Sequence, residues 1–215
     1  LIPLFPLIGF LINGLGFRKV SKGLAGWIGT GAALLSFVGA FSAYQAFIAG
    51  GQQPIIVSIF DWITVGTLNI NFSFQIDQLS ILMLFVVTGV GTLIHVYSMG
   101  YMHDDEGFGK FFAFLNLFLF SMLLLVMGSN YIVMFIGWEG VGLCSYLLIG
   151  FWYQNEDYGK AARKAFIMNR IGDLGCLLGI FMIIQTFGSV EYLDVFSKAA
   201  NGSFSVNDSV IITIT

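Results

Sequence analysis

The sequence predicts an all-α polytopic membrane protein, a helix bundle of about six complete transmembrane helices plus the start of a seventh. Two of the supporting observations are compositional: 57% of the 215 residues are hydrophobic and only 10% are charged. Soluble domains carry about 25% charged residues. The third observation is a series of apolar stretches close to the roughly 20 residues that a helix needs to cross a bilayer. A soluble globular domain and a disordered chain are therefore excluded.

Six stretches have the required apolar character, and a seventh begins near residue 208. The six predicted spans are residues 1–17, 24–49, 78–101, 110–128, 131–152 and 161–187. The first is short and carries Pro3 and Pro6 near its start. Because the sequence starts at Leu1 and stops at Thr215 within an apolar run, we expect residues 1–215 to be the N-terminal part of one longer membrane domain, with no soluble domain.

The segment between the second and third spans differs from the spans in its composition and in its pattern of polar residues. Residues 54–76 are rich in Ile, Val, Phe and Thr, and residues 67–74 alternate polar with apolar side chains after Gly66. This pattern predicts a β-hairpin on a membrane surface, and an irregular loop is the alternative.

The basic residues predict the orientation of the spans. If successive spans cross the membrane in opposite directions, seven of the basic residues fall on one side of the membrane and Lys198 falls on the other. The seven are Arg18, Lys19, Lys22, Lys110, Lys160, Arg163 and Lys164. The positive-inside rule makes their side cytoplasmic or matrix, so the N-terminus and the hairpin would face the periplasm or intermembrane space. The polar connector 188–208 shows weak signs of a short amphipathic helix.

Several classes of function are excluded. Twelve acidic residues outnumber nine basic residues, which excludes a nucleic-acid binder that works by neutralising phosphates. Cys144 and Cys176 lie in apolar runs and form no CxxC motif, so a disulfide framework, a zinc site and an iron–sulfur site are not predicted. Nucleotide-binding glycine motifs and paired histidine ligands are also missing from the sequence. Any linked redox chemistry must occur elsewhere.

Glu139 is the first candidate functional residue. It lies about two turns into the fifth span, flanked by Gly137, Gly140 and Gly142. An ionisable group inside a span costs several kcal/mol unless it is paired or hydrated, so it is a functional hypothesis by default. Burial and a nearby cation act in opposite directions on the proton affinity of a carboxylate. Proton transfer is therefore the favoured role, and a buried structural carboxylate is the alternative.

Three further candidates lie in the sixth span. Arg170 and Asp173 are spaced i, i+3 and share a helix face. For Arg170, proton translocation and a structural ion pair are equally plausible roles, whereas function is favoured for Asp173. Lys164 is a candidate relay residue, although snorkelling to the interface is the simpler interpretation.

Two ionisable residues lie at the start of the third span or within it. Asp77 precedes it and is predicted to cap the helix. His95 lies in its last third, and an imidazole that titrates near neutral pH suits a proton relay. A hydrogen-bonded structural histidine is the alternative, and it is the commoner case for a lone histidine on a packed helix.

Three runs of sequence resemble a known family. They are FSFQIDQLSILMLFVVTGVGTLIHVYSMGYM at 72–102, FIGWEGVGLCSYLLIGFWY at 135–153 and the segment around AFIMNRIGDLG at 165–175. They are similar to the antiporter-like L subunit of respiratory complex I, the proton-translocating NADH–quinone oxidoreductase, which corresponds to mitochondrial chain 5. The resemblance covers essentially all 215 residues. Sodium/proton antiporter A subunits share a Trp-Glu at this place, but the Gly-Trp-Glu-Gly-Val-Gly run is closer to the complex I member.

The resemblance implies an architecture and roles that the composition does not show. The family has many membrane helices, with two inverted five-helix repeats as the pumping core. Its glutamate in the fifth helix, matched here by Glu139, pairs with a lysine of the seventh helix, which would lie beyond Thr215. The arginine and aspartate of the sixth helix match Arg170 and Asp173. This chain is expected to hold the first part of one antiporter-like domain.

The resemblance also implies cofactors, partners and location. The chain itself would bind no cofactor, since flavin and iron–sulfur clusters belong to other subunits and quinone binds elsewhere. Its partners would be other membrane-arm subunits, especially the neighbouring antiporter-like M subunit, and membrane lipids, without nucleic acid. A multi-pass protein of the bacterial inner membrane is favoured over the mitochondrial inner membrane.

The predicted function is proton pumping coupled to electron transfer from NADH to quinone in other subunits. A subunit of a multisubunit cation/proton antiporter is the first alternative. A structural membrane module, whose buried charges only fix helix packing, is the second. An independent channel is disfavoured, because the sequence shows no rings of charge or filter residues.

Overall fold

The computed structural model describes residues 1–16, 19–65 and 68–202. In these ranges the chain is mostly helical, with one pair of strands. The elements are α1 Leu4–Leu15, α2 Lys22–Ala49, β1 Ile55–Val65, β2 Leu68–Ile76, α3 Gln78–Tyr101, α4 Phe108–Met127, α5 Tyr131–Ile149, α6 Glu156–Phe187 and α7 Tyr192–Ala200. The predictions that concern Arg18, Gly66, Thr67 and the seventh span lie outside the described residues.

Five helices, α2 to α6, are long and apolar enough to cross a membrane. The helix of the first predicted span, α1, has only 12 residues and is about 18 Å long, against a hydrocarbon core of about 30 Å. The prediction of a polytopic helical membrane protein is therefore confirmed for five spans. The short amphipathic helix predicted in the polar connector is also present, as α7.

Capping residues set the ends of two of these helices. Asp77 Oδ1 accepts a hydrogen bond from Ser80 N (2.8 Å), and Asp77 N donates to Ser80 Oγ (2.7 Å), which confirms the predicted cap of α3. Asn155 caps α6 by accepting from Asp157 N (3.0 Å). Helix α6 therefore begins at Glu156 rather than at the predicted residue 161, because its first turn is polar and carries no apolar signal.

The two strands form an antiparallel sheet over the segment predicted as a hairpin. Ile55 pairs with Ile76 and Thr64 with Asn69, with two register irregularities between these pairs. The rings of Phe60 and Phe72 stack across the strands, with centroids 5.2 Å apart. Cross-strand aromatic pairs of this kind stabilise a sheet by up to about 1 kcal/mol each.

The helices pack around α4, which contacts α1, α2, α3 and α5, and α6 packs against α5. Leu84 and Leu123 are fully buried in the core where α2, α3 and α4 meet. Helices α4 and α5 meet backbone to backbone: a Cβ placed on Gly137 would lie 2.3 Å from Leu125 N. Small residues allow such close helix contacts in membranes, and here the contact fixes α5 on α4 beside the candidate site.

A polar junction joins the sheet, the α4–α5 turn and the start of α7; we define it by Ser73, Ser129, Asn130 and Glu191. The Asn130 amide donates to Asn71 O (2.8 Å) and to Glu191 Oε1 (3.0 Å), and its oxygen caps α5 by accepting from Val133 N (2.9 Å). Ser129 donates to Glu191 Oε2 (3.2 Å) and is also hydrogen-bonded to Ser73. Three segments distant in sequence are thus held together at this end of the bundle.

Candidate functional site

The structure brings Glu139 on α5 together with Arg170 on α6. The Arg170 guanidinium donates to Glu139 Oε2 and forms an ion pair with it. The two side chains are 26% and 44% exposed, respectively, so the pair lies at the edge of the described bundle. A carboxylate inside an apolar helix is thereby neutralised by a cation from the neighbouring helix, as the cost of an isolated charge requires.

Arg170 also serves a second carboxylate. Its Nη1 lies 3.4 Å from Asp173 Oδ2, and the Asp173 side chain is 7% exposed. The Arg170 guanidinium carbon lies 4.7 Å from the centroid of the Phe166 ring, a geometry that adds a cation–π attraction. The i, i+3 spacing that placed Arg170 and Asp173 on one face is therefore realised as a contact.

Trp138 completes this group and was not among the predicted site residues. Its indole N–H donates to Asp173 Oδ1 at 2.8 Å, from α5 across to α6. The only available signal in the sequence was its position beside Glu139 in the Gly-Trp-Glu-Gly run, which does not identify the acceptor. We call Trp138, Glu139, Arg170 and Asp173 the charged cluster.

The charged cluster contains one guanidinium and two carboxyl groups. If both carboxyl groups are ionised, its net charge is −1, and the two compete for the same cation. Attraction to a second cation or uptake of one proton would balance the charge. A group of this kind can change its protonation or its pairing when the charge around it changes, and this is the chemistry that proton translocation requires.

His95 lies apart from the charged cluster. It is buried on α3, with its ring centroid 6.0 Å from that of Phe112 on α4. Its Nδ1 is 2.7 Å from Gly91 O; because a carbonyl oxygen only accepts, Nδ1 carries the hydrogen. Nε2 has no hydrogen-bond partner within the described ranges. The structure therefore does not join His95 to Glu139, and its role as a relay stays a prediction.

Lys164 is exposed on α6, six residues before Arg170, or about 9 Å along the helix axis. The contacts of the charged cluster given above do not include it, so its relay role also stays a prediction. In residues 1–16, 19–65 and 68–202, the structure contains no group of three or more His, Cys, Asp or Glu side chains that could hold a metal ion. Cys144 and Cys176 are both free thiols.

Two known families match parts of the chain. Residues 62–112 match the N-terminal family of chain 5 of NADH-ubiquinone oxidoreductase (complex I), and residues 128–215 match the transmembrane family of NADH:quinone oxidoreductase and Mrp antiporters. The second match includes the whole charged cluster. These two parts of the chain are therefore similar to membrane subunits of NADH:quinone oxidoreductase and of Mrp antiporters.

Curated relatives narrow the similarity to one subunit. NADH-quinone oxidoreductase subunit L is 44% identical over 211 residues in Mycobacterium tuberculosis, covering 96% of this chain and 33% of the relative. The subunit L of Rickettsia conorii is 47% identical over 200 residues (93% and 30%), and that of Campylobacter jejuni is 49% identical over 201 residues (93% and 32%). The predicted resemblance to the L subunit is confirmed. The chain spans about a third of the length of these relatives.

Two solved structures share the fold. A chain of the membrane-bound sulfane sulfur reductase, an archaeal respiratory membrane complex, matches with a TM-score of 0.82 and 18% identity, over 99% of this chain and 41% of that one. A chain of the Mrp complex from Dietzia sp. DQ12-45-1b matches with a TM-score of 0.78 and 20% identity, over 99% of this chain and 22% of that one. At these identities the comparison concerns the fold alone.

Proposed function

We propose that this chain is the N-terminal part of a membrane-arm, proton-translocating subunit of NADH-quinone oxidoreductase. Electron transfer from NADH to quinone takes place in other subunits, which carry the flavin and the iron–sulfur clusters and bind quinone. The observation that carries the proposal is Glu139, an acidic residue inside α5 that is paired with Arg170 on the next helix. The similarity to subunit L supports the same function.

The proposed mechanism is electrostatic. Glu139 pairs alternately with Arg170 and with a lysine that lies beyond Thr215. When a charge rearrangement in the neighbouring subunits favours the Arg170 pairing, the lysine loses the field of the carboxylate and releases its proton. Asp173, held by Trp138 and Arg170, provides the competing anion that lets Arg170 leave Glu139 without becoming an unpaired cation.

The proposal includes a topology and an environment. α1 forms a sixth span together with the residues around it, and the N-terminus and the sheet face the periplasm of a bacterial inner membrane. The neighbouring antiporter-like M subunit and membrane lipids cover the exposed faces of the bundle. The basic residues near the opposite ends of the helices support this orientation.

The test of the proposed function is Glu139→Gln, which keeps the size of the side chain and removes its charge. Glu156→Gln at the exposed start of α6 is the control, since its carboxylate forms an ion pair with Lys160 at the surface. The native assembly, reconstituted into sealed vesicles, receives NADH and quinone while internal acidification is recorded. We expect Glu139→Gln to assemble normally and to lose coupled acidification, while the control pumps normally. Normal pumping by Glu139→Gln would refute the assignment.

A subunit of a multisubunit cation/proton antiporter is the second candidate. The match of residues 128–215 to the transmembrane family of NADH:quinone oxidoreductase and Mrp antiporters favours it. A sodium gradient imposed on the same vesicles without NADH distinguishes the two. Proton movement driven by that gradient, with no response to NADH, would support the antiporter function and contradict the redox-driven pump.

A further inference from the structure

Helix α7 follows the membrane-spanning helix α6 and is itself too short to cross a bilayer. It has nine residues, Tyr192–Ala200, and is about 13 Å long, against a hydrocarbon core of about 30 Å. Helix α6 ends at Phe187, and Gly188, with a φ of +66°, turns the chain out of that helix. Helix α7 must therefore lie at one end of the bundle, and its contacts show which end.

Two sets of contacts hold α7 at the end of the bundle where α5 begins. At its start, the backbone N–H of Tyr192 donates to Ser129 O (3.2 Å), and the rings of Tyr192 and Tyr131 meet edge to face with centroids 4.7 Å apart. Near its end, Lys198 Nζ donates to the carbonyl oxygen of Phe187, the last residue of α6 (2.9 Å). Both contacts are made at the ends of membrane-spanning helices, so α7 lies at this surface of the bundle.

Tyr131 indicates the depth of this surface in the bilayer. Helix α5 starts at Tyr131 and has 19 residues, which gives a length of about 28 Å, nearly the thickness of the hydrocarbon core. The exposed Trp152 and Tyr153 follow the other end of α5. Tyrosine and tryptophan concentrate at both membrane–water interfaces, so this spacing indicates that the two ends of α5 lie at the two interfaces. The start of α7, which contacts Tyr131, then lies at one of them.

The side chains of α7 divide into three groups around the helix. Val195 is buried, with 4% of its surface exposed. Asp194 and Lys198 form an ion pair of 2.8 Å. Leu193 and Phe196 are spaced i, i+3 and share a face, and they are 48% and 58% exposed. We call these last two residues the apolar flank of α7.

The apolar flank continues a row of aromatic side chains that begins at the start of α5. The Phe196 ring is nearly parallel to the Tyr192 ring, at 11° and with centroids 6.1 Å apart, and Tyr192 in turn contacts Tyr131. Amphipathic helices at a membrane surface bury their apolar face about 5–10 Å into the boundary between headgroups and acyl chains. The apolar flank has the composition and the depth for such burial, which removes its surface from water.

We propose that α7 is an interfacial helix whose apolar flank binds the acyl chains of the phospholipid leaflet beside it. The size of the flank favours lipid over a protein partner, since a stable protein interface takes roughly 20–30 residues a side and the flank offers Leu193 and Phe196. The exposed Ser197 lies about 100° around the helix from Phe196 and so points away from the acyl chains. The proposal does not depend on proton translocation, because it uses only the position of α7 and its side chains.

Photocrosslinking from single positions of α7 tests the proposal. In the native assembly within its membrane, Phe196 is replaced by p-benzoylphenylalanine, an aromatic residue that inserts into a neighbouring C–H bond on irradiation. The same replacement at Ser197, the next residue and also exposed, is the matched control. Mass spectrometry of the isolated chain then identifies adducts that carry the whole mass of a phospholipid. We expect acyl-chain adducts roughly fivefold more often from position 196 than from position 197, because an interfacial helix buries only its apolar face.

Each outcome of the crosslinking supports or overturns the lipid contact. If the variant at Phe196 does not assemble, the same replacement at Leu193 has the same expected adduct. Crosslinks from position 196 mainly to another subunit, or to the part of this chain that follows residue 202, would overturn the proposal and identify a protein contact.

Equal lipid adducts from positions 196 and 197 would overturn the orientation of α7, and a lack of adducts at both would place the apolar flank in water, against the proposal. These results are independent of the pumping assay on Glu139→Gln. The lipid contact can therefore fail while the proposed function holds, and the reverse is also possible.

Discussion

Replacing Gly137 with alanine tests how closely the site depends on the contact between α4 and α5. The added Cβ would lie 2.3 Å from Leu125 N and 2.6 Å from Leu125 Cα. Both atoms belong to the backbone, so no side-chain rotation relieves the overlap. Reaching an ordinary contact of 3.4 Å from 2.3 Å requires a displacement of about 1.1 Å, and α5 carries Trp138 and Glu139 immediately after this position.

Overpacking of a well-packed interior costs about 1–3 kcal/mol. A free-energy change of 3 kcal/mol corresponds to roughly 100-fold in an equilibrium constant. For a chain of this size, each kcal/mol lowers a melting temperature by about 2–4 °C, so we expect a decrease of about 2–12 °C. The α5–α6 contacts of the charged cluster should loosen as well, and coupled acidification should fall.

The assay heats the detergent-solubilised native assembly in steps and measures, on native gels, the fraction of the chain that remains assembled. Gly179→Ala in α6 is the matched control, since its new Cβ would meet nothing within 4 Å and alanine is the better helix former. Equal midpoints for the two alanine variants would show that α4 and α5 do not pack backbone to backbone, and the geometry given for the site would then be wrong.

Three further predictions concern single side chains. Asp77→Ala should destabilise α3 by about 0.5–2 kcal/mol. Asp77→Asn should retain most of the stability that Asp77→Ala loses. Burial raises the pKa of Asp77, but its hydrogen bonds outweigh that effect and hold the pKa below 3.8. The stabilisation by the Asp77 carboxylate is therefore complete above about pH 3.8 and is lost as the pH falls through the lower pKa of the folded state. Melting temperatures measured as a function of pH would show this loss. Trp138→Phe removes the hydrogen-bond donor to Asp173 and should lower the free energy of unfolding by about 1.5–3 kcal/mol. Trp152→Phe removes an exposed hydrogen bond and should lower the free energy of unfolding by less. Equal losses in the two variants would contradict this prediction. Asn130→Leu should release the sheet from the polar junction, so limited proteolysis should cut residues 55–76 faster than in the unmodified chain, and unchanged cleavage would show that the junction does not hold the sheet.

The membrane helices were predictable where an apolar run and a cap coincide. The bounds of α3 equal the predicted residues 78–101 because Asp77 marks the start and no Asp, Glu, Lys or Arg interrupts the run behind it. The start of α6 was placed five residues too late, because its first turns are polar and hydropathy does not report them. Asn155 before two acidic residues was the signal that capping preferences offer for this start.

The candidate site was predictable as a set of residues but not as an arrangement. Apolar surroundings pointed to Glu139, and helical spacing paired Arg170 with Asp173. The contact of Arg170 with Glu139 joins residues 31 positions apart, and it depends on how α5 and α6 pack, which no local pattern encodes. The hydrogen bond from Trp138 was missed for the same reason.

The polar junction has a consequence for the order in which the chain acquires its structure during synthesis. The strands end at Ile76, whereas their anchors, Ser129, Asn130 and Glu191, are made later. Glu191 follows Ile76 by roughly 115 residues, which a ribosome adds in about 6 to 23 s at 5–20 residues per second. For that time the sheet has strand pairing but not its full set of anchors, and a slowly inserted α6 would prolong it.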